Sequence, residues 1–212
     1  MGAIWQDVRY GFRMLLKSPG FTAVAVLSLA IAIGANTTIF SLVNAVLLRP
    51  LPVAAPERLV NVHATSPDGS SFHSFSYPDY TDYRDQQGGV LDGLAAYTIN
   101  TYSLDTGAQS ERIFGLVASE NFFPVLGVRP AFGRFFTPDD NRSGAGEPLA
   151  VLSYGYWQRR FGGDPSIVGR TLTLNNHAYN VVGIAPRKFT GPRVAFAPDV
   201  YVPVWTQGIA IP

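Results

Sequence analysis

The chain has no cysteine. Disulfides, thiolate zinc sites and cysteine nucleophiles are therefore excluded, while the compartment stays open. Charge is scarce: Asp, Glu, Lys and Arg make up 15% of the 212 residues, and the formal net charge is +1. That balance gives no reason to expect nucleic acid as a partner. Histidine is nearly absent, and His63, His73 and His177 do not fall in any metal-ligating spacing. There is no Walker A motif, and Gly144-Ala145-Gly146 lacks the third glycine of a dinucleotide fingerprint. Ser153 in VLSYG is not a nucleophile elbow, because Val151 stands where the first glycine belongs. Asp139-Asp140 lies outside any calcium-loop pattern. Asp79, Asp82 and Asp85, three apart, read as a solvated helix face. The expectation is a chain with no catalytic residue, no bound metal and no cofactor.

The most consequential absence is local. No Asp, Glu, Lys, Arg or His occurs between Lys17 and Arg49. A charge-free apolar run of 18 or more residues is a candidate membrane-spanning helix. Eleven Leu, Ile, Val and Phe residues lie between Phe21 and Val43. Together they favour insertion by roughly 3–7 kcal/mol, less the opposing effect of Gly34, Asn36, Thr37 and Thr38. A helix running from Phe21 to Leu48 would be about 42 Å long against ~30 Å of hydrocarbon, which leaves room for tilt and a short stalk. The competing reading is a cleaved signal peptide, with Phe21 to Ile33 as its apolar core and Ala32 and Ala35 near a cleavage site. The apolar pattern that resumes at Ile39 argues for the span.

Ahead of the span, Ile4, Trp5, Val8, Phe12, Leu15 and Leu16 recur at helical spacing, and Arg9, Arg13 and Lys17 form another stripe. This predicts an amphipathic helix over 1–18, ended at Pro19-Gly20, with its basic face toward anionic headgroups of the lipid bilayer. The alternative is a helix seated on a soluble partner. Basic residues mark the cytoplasmic flank of a span, so the N-terminus is expected inside a cell (inner) membrane and residues 49–212 outside. Within the span, Ala23, Ala30, Gly34, Thr37, Ser41 and Asn44 lie near one another at spacings of three, four and seven. Small and hydroxylated residues in that arrangement let helices pack closely in lipid. Chance is the competing explanation, since small residues are common in spans.

After the span (19–48), three prolines at 50, 52 and 56 stiffen the exit. The remainder reads as a mixed α+β body over 49–212, a sheet covered by two or three short helices. Expected strands are Leu59 to Ala64, Tyr97 to Leu104, Ile113 to Ala118, Leu149 to Ser153, Thr171 to Leu174, Tyr179 to Ile184 and Val200 to Val204. Short helices are expected over Ser76 to Gln87, with Ser76 as cap, at Ser119 to Leu126, and over Tyr156 to Phe161. A turn near Gly107 and the Asn175-Asn176-His177 stretch predict two hairpins, and Gly133 to Glu147 reads as a polar loop. Phe122, Phe123, Phe132, Phe135, Phe136, Tyr154, Tyr156, Trp157 and Phe161 are expected in the core.

Four stretches carry a family resemblance: KSPGFTAVAVLSLAIAIGANTTIFSLVNAVLLRPLP, ASENFFPVLGVRPAFGRFF, VLSYGYWQRRFGGDPSIVGRTLTLNN and YNVVGIAPRKF. The first resembles the start of ABC transporter permeases of the MacB/FtsX class, most closely the duplicated orphan permeases. The others are similar to that family's MacB-like periplasmic core domain. The resemblance implies one span leading into an extracytoplasmic α/β domain of two lobes, three further spans, and an ATPase that moves the assembly. MacB begins with a fused ATPase, whereas this chain begins with the amphipathic helix. The resemblance therefore implies a separate ABC ATPase subunit, and other permease transmembrane helices or a second permease chain as packing partners. It also implies that a chain stopping at Pro212 is a truncated product or part of a longer permease. The alternative function is a membrane-anchored extracytoplasmic ligand-binding or sensor domain. A membrane-anchored enzyme would need a polar constellation that the sequence does not offer.

Overall fold

The computed structural model describes residues 2–44, 53–66, 68–107, 109–141, 147–192 and 196–206. The chain divides into two compact units, Met1–Arg49 and Pro50–Pro212.

The first unit is two helices, α1 (Gly2–Lys17) and α2 (Pro19–Val43). They are separated at Ser18, which Pro19 forces out of helical backbone (φ −126°, ψ 70°). Pro19 and Gly20 thus open the second helix, with Pro19 at its first position, where the missing N–H costs nothing. The broken ends are satisfied locally. The Thr22 hydroxyl lies 2.7 Å from the Leu15 carbonyl and 3.0 Å from that of Ser18, and the Ser18 hydroxyl donates to the Met14 carbonyl. Asn44 continues the helical backbone past Val43. The predicted stalk over 45–48 lies outside the described residues.

The second unit is built on a seven-stranded mixed sheet. Its strands are β3 (Tyr97–Asp105), β4 (Ser110–Ala118), β5 (Phe132–Gly133), β6 (Leu149–Leu152), β7 (Thr171–Leu174), β8 (His177–Ile184) and β9 (Val200–Pro203), in the order β5-β8-β6-β9-β4-β3-β7. Strand β7 pairs with β8 as well as with β3, so six strands form a closed circuit of ladders. Closure removes the exposed edges that an open sheet would have. The pairings β4–β9 and β6–β8 are parallel and the rest antiparallel. A separate two-stranded ladder joins β1 (Ala64–Thr65) to β2 (Phe72–His73).

Alternation along the strands makes two cores, one on each face of the sheet. Ile113, Val117, Ala150, Leu152, Val200 and Val202 face one way, toward Tyr156 and Trp157 of α5 (Tyr154–Phe161). Leu116, Ala118, Leu149, Val151 and Tyr201 face the other, toward Phe122 and Phe123 of α4 (Phe122–Val125). The register shift at Ala150/Val151 skips Val182 on β8. That bulge flips the parity of the strand, so Val181 and Ile184 both reach the first core.

Several local elements form as their residues demand. The two-residue turn Asn175-Asn176 has φ of 48° and 66°, the hairpin geometry that Asn tolerates. His177 therefore starts β8 rather than sitting in the turn. Ser153 caps α5 by accepting from the Tyr156 N–H, and Gly162 ends it in left-handed backbone. Helix α3 (Tyr77–Gln86) opens with a complete capping box of Ser76 and Asp79.

Some expectations need correction. Leu59 to His63 joins no ladder, and only Ala64 of that stretch is in a strand. Gly133 belongs to β5, and a 3-10 turn occupies Pro138–Asn141, so the expected loop is partly ordered. Phe132 is 44% exposed, lying against Trp157 rather than inside the core.

Candidate functional site

Two regions are candidates for function, the N-terminal helices and the surface of the body. In the helices, Arg9, Arg13 and Lys17 are all exposed on α1, and at 100° per residue they fall within roughly 80° of one another. Trp5, Leu15 and Leu16 are also exposed, at 73%, 44% and 69%. A helix that shows both a cationic stripe and large apolar side chains to its surroundings fits a boundary between water and lipid.

Helix α2 has no buried residue at all. Its 25 residues reach about 37 Å, enough to cross ~30 Å of hydrocarbon. Val24, Leu27, Ile31, Ile33, Ile39 and Phe40 are each more than half exposed. A helix apolar on every side is stable only where the surroundings are apolar too. Ala23, Ala30, Gly34, Thr37, Ser41 and Asn44 lie within an arc of about 80° on this helix. A Cβ added at Gly34 would meet nothing within 4 Å. The Thr38 hydroxyl is spent on the Gly34 carbonyl at 2.8 Å within the helix.

In the body, several carboxylates are held in local pairs. Asp79 accepts from the Ser76 N–H and hydroxyl, which hold its carboxyl below the usual range. Asp85 pairs with Arg84, and the three aspartates of α3 do not converge. Arg134 grips Asp140 with two hydrogen bonds of 2.7 and 2.8 Å, and Asp140 also accepts from the Thr137 N–H. These partners hold the Asp140 carboxyl below the usual range. Its contribution is thus present above the unfolded carboxylate pKa and is lost as pH falls through the lower folded one. His73 Nε2 lies 2.7 Å from the Ser66 hydroxyl and 3.2 Å from that of Ser71 on the exposed β1–β2 hairpin. Among the described residues no group of three or more His, Asp or Glu could hold a metal ion.

Three tyrosine hydroxyls, of Tyr102, Tyr179 and Tyr201, are buried without a hydrogen-bond partner among the described residues. Burial pushes the Tyr102 phenol up to about 12, and raises the other two as well, so all three are neutral at physiological pH. The Tyr102 ring crosses Gly115, whose Cβ would otherwise lie 2.3 Å from it. The role of Tyr102 is thus packing, with its ring filling the space that the glycine leaves. Sequence reading missed these tyrosines, because nothing local marks a Tyr whose hydroxyl is enclosed. Two shallow grooves open on the surface of the body. One of about 430 Å³ is lined by Arg134, Val168 and Asn180, the other, of about 590 Å³, by Thr101, Ser103 and Arg112.

The fold has known counterparts. The periplasmic region of MacB from Actinobacillus actinomycetemcomitans superposes with a TM-score of 0.54 at 19% identity, over 68% of this chain and 61% of that one. The extracellular domain of the noncanonic ABC-type transporter YknZ from Gram-positive bacteria gives 0.51 at 18% identity, over 70% of this chain and 73% of its own. The chain thus spans under two thirds of the MacB structure. No curated protein sequence matches it. The family described as the MacB-like periplasmic core domain matches residues 22–211, from inside α2 to the end of the body. The chain therefore belongs to that family, the extracytoplasmic domains of ABC-transporter permeases, here preceded by a helix able to anchor it in a membrane.

Proposed function

We propose that this chain acts as a permease-type membrane subunit, or the N-terminal part of one, in an ABC export or mechanotransmission system. A separate ATPase works on the cytoplasmic side, and α2 transmits the motion to the extracytoplasmic body. The observation that carries this reading is the pairing of an unburied apolar helix with a family-matched body in one chain. Cationic α1 sets the N-terminus inside, against anionic lipid, by the positive-inside rule. The body performs no catalysis and binds no metal of its own.

The test is nucleotide labelling. Membranes holding the tagged chain are treated with a photoreactive ATP analogue, solubilised in mild detergent and purified on the tag. The expected result is a labelled nucleotide-binding polypeptide that co-purifies with the chain. Absence of label from preparations in which the chain is folded and membrane-embedded favours an anchored ligand-binding or sensor domain instead.

The packing stripe of α2 belongs to this proposal. Ala23, Ala30, Gly34, Thr37, Ser41 and Asn44 would meet other permease helices or a second copy. In lipid, helix association depends on close approach rather than on apolar burial. Gly34→Leu should therefore weaken in-membrane association of the chain, while Ile39→Leu, on the opposite face of the helix, leaves it unchanged. Equal association of Gly34→Leu and the parent would exclude this face as a contact.

A further inference from the structure

The body contains one excursion that the cores do not hold. It runs from Val60 to Leu91, and at its base Arg58 and Asp92, 34 positions apart, form an ion pair. The chain is anchored on both sides of this neck. Val53 and Leu59 pack against the second core. On the return, Gly93 lies so close to Val125 that a Cβ there would come within 2.9 Å of the valine, and Ala95 packs on the same core. Between these anchors lie residues that join no ladder, the β1–β2 hairpin and α3. Among the described residues of the excursion, Tyr80 is the one buried hydrophobic side chain, at 4% exposure.

What holds α3 down is polar. The Tyr80 hydroxyl lies 3.2 Å from the Leu94 carbonyl and 3.1 Å from Asn121 Oδ1. Asn121 is itself fixed, donating to the Leu94 carbonyl and accepting from the Ser119 hydroxyl. Four residues along the helix, Arg84 donates to Glu120 at 3.0 Å. The aromatic contacts of this stretch are internal to it, Phe75 on Tyr83 and Tyr77 on Tyr80, so they survive if the helix lifts. The far end favours release. Gln87 Oε1 is buried without a partner among the described residues, and opening would hydrate it. Gly88 and Gly89 follow with φ of 63° and 81°, backbone that can swivel without steric penalty.

We propose that α3, with the β1–β2 hairpin, is a flap that opens as a unit from the segments flanking β3 and β4 while the sheet stays folded. Tyr80 and the Arg84–Glu120 pair are its latch, and Arg58–Asp92 closes its neck. A segment with one buried anchor and a polar dock opens far below the free energy of global unfolding. The proposal goes beyond the transport reading and needs no ATPase.

Hydrogen exchange of the full chain in lipid nanodiscs, read by mass spectrometry, tests it. The amides of α3 over 80–86 should exchange on the order of 100-fold faster than those of β4 over 113–118. Tyr80→Phe keeps the ring and loses the hydroxyl contacts. It should speed α3 exchange by about tenfold with β4 unchanged. Glu120→Gln, which keeps the shape and removes the charge, should act in the same direction. Equal protection of α3 and β4, equal acceleration of both by either variant, or no acceleration by both variants would overturn the proposal.

Discussion

Replacing Phe123 with alanine should destabilise the body by about 3–5 kcal/mol. The ring is fully buried and is the hub of the second core. It stacks on Phe135 at 3.7 Å between centroids and meets Phe122, Phe136, Phe189 and Tyr201 edge-on or tilted. Alanine would remove these contacts together and leave a cavity walled by rigid rings, which cannot collapse to fill it. For a domain of this size each kcal/mol moves the melting temperature by ~2–4 °C, so a fall of roughly 6–20 °C is expected in a thermal melt. Val90→Ala, at a side chain 84% exposed, should stay within about 0.5 kcal/mol of the parent. A loss below ~1 kcal/mol for Phe123→Ala would show that the aromatic cluster is not the organising core of that face.

The second large effect concerns α2. Ile31 is the midpoint of Pro19–Val43 and is 71% exposed. Lysine at the centre of a span costs about 2.5–3.5 kcal/mol on the insertion scale, and the favourable isoleucine contribution of ~0.3–0.6 kcal/mol goes with it. The apolar residues of the helix favour insertion by roughly 3–7 kcal/mol before the polar residues at its C-terminal half subtract from that. Ile31→Lys therefore brings the balance close to zero. A large fraction of the chains should be released by alkaline carbonate extraction, while Ile31→Leu remains in the pellet. If α2 packs against a soluble partner instead, the parent itself is released and Ile31→Lys changes nothing in the extraction.

Much of this architecture could be read from residues that act locally. The break at Ser18-Pro19, the Ser76 cap and the Asn175-Asn176 turn each follow from one or two side chains with a strong backbone preference. The strands of the β3–β4 and β7–β8 hairpins follow from alternation between turn residues. What the sequence could not reveal is non-local. The parallel pairings β4–β9 and β6–β8 join residues far apart, and the closing ladder of β7 on β3 is only two pairs long. Strands of two residues, such as Phe132–Gly133, have no period to detect.

The stretch Leu59 to Ala64 failed for the opposite reason. LVNVHA alternates as a strand should, yet a ladder needs a neighbouring strand in register, and only Ala64 of this stretch joins one. Sequence reading of the functional region was similarly uneven. The basic face and the span are visible because composition alone marks them. The neck at Arg58–Asp92 and the Tyr80 latch are not, since each depends on residues brought together over 14 to 41 positions.

The central claim is that α2 crosses the membrane with the body outside and α1 inside. The absence of cysteine makes the direct test clean. Single cysteines are introduced at Gln6 on α1 and at Ser70 on the β1–β2 hairpin, both exposed. Intact spheroplasts are then treated with a membrane-impermeant maleimide. The account predicts labelling of Ser70→Cys in intact cells, and of Gln6→Cys only after permeabilisation. Labelling of Gln6→Cys in intact cells, with Ser70→Cys protected, would contradict it.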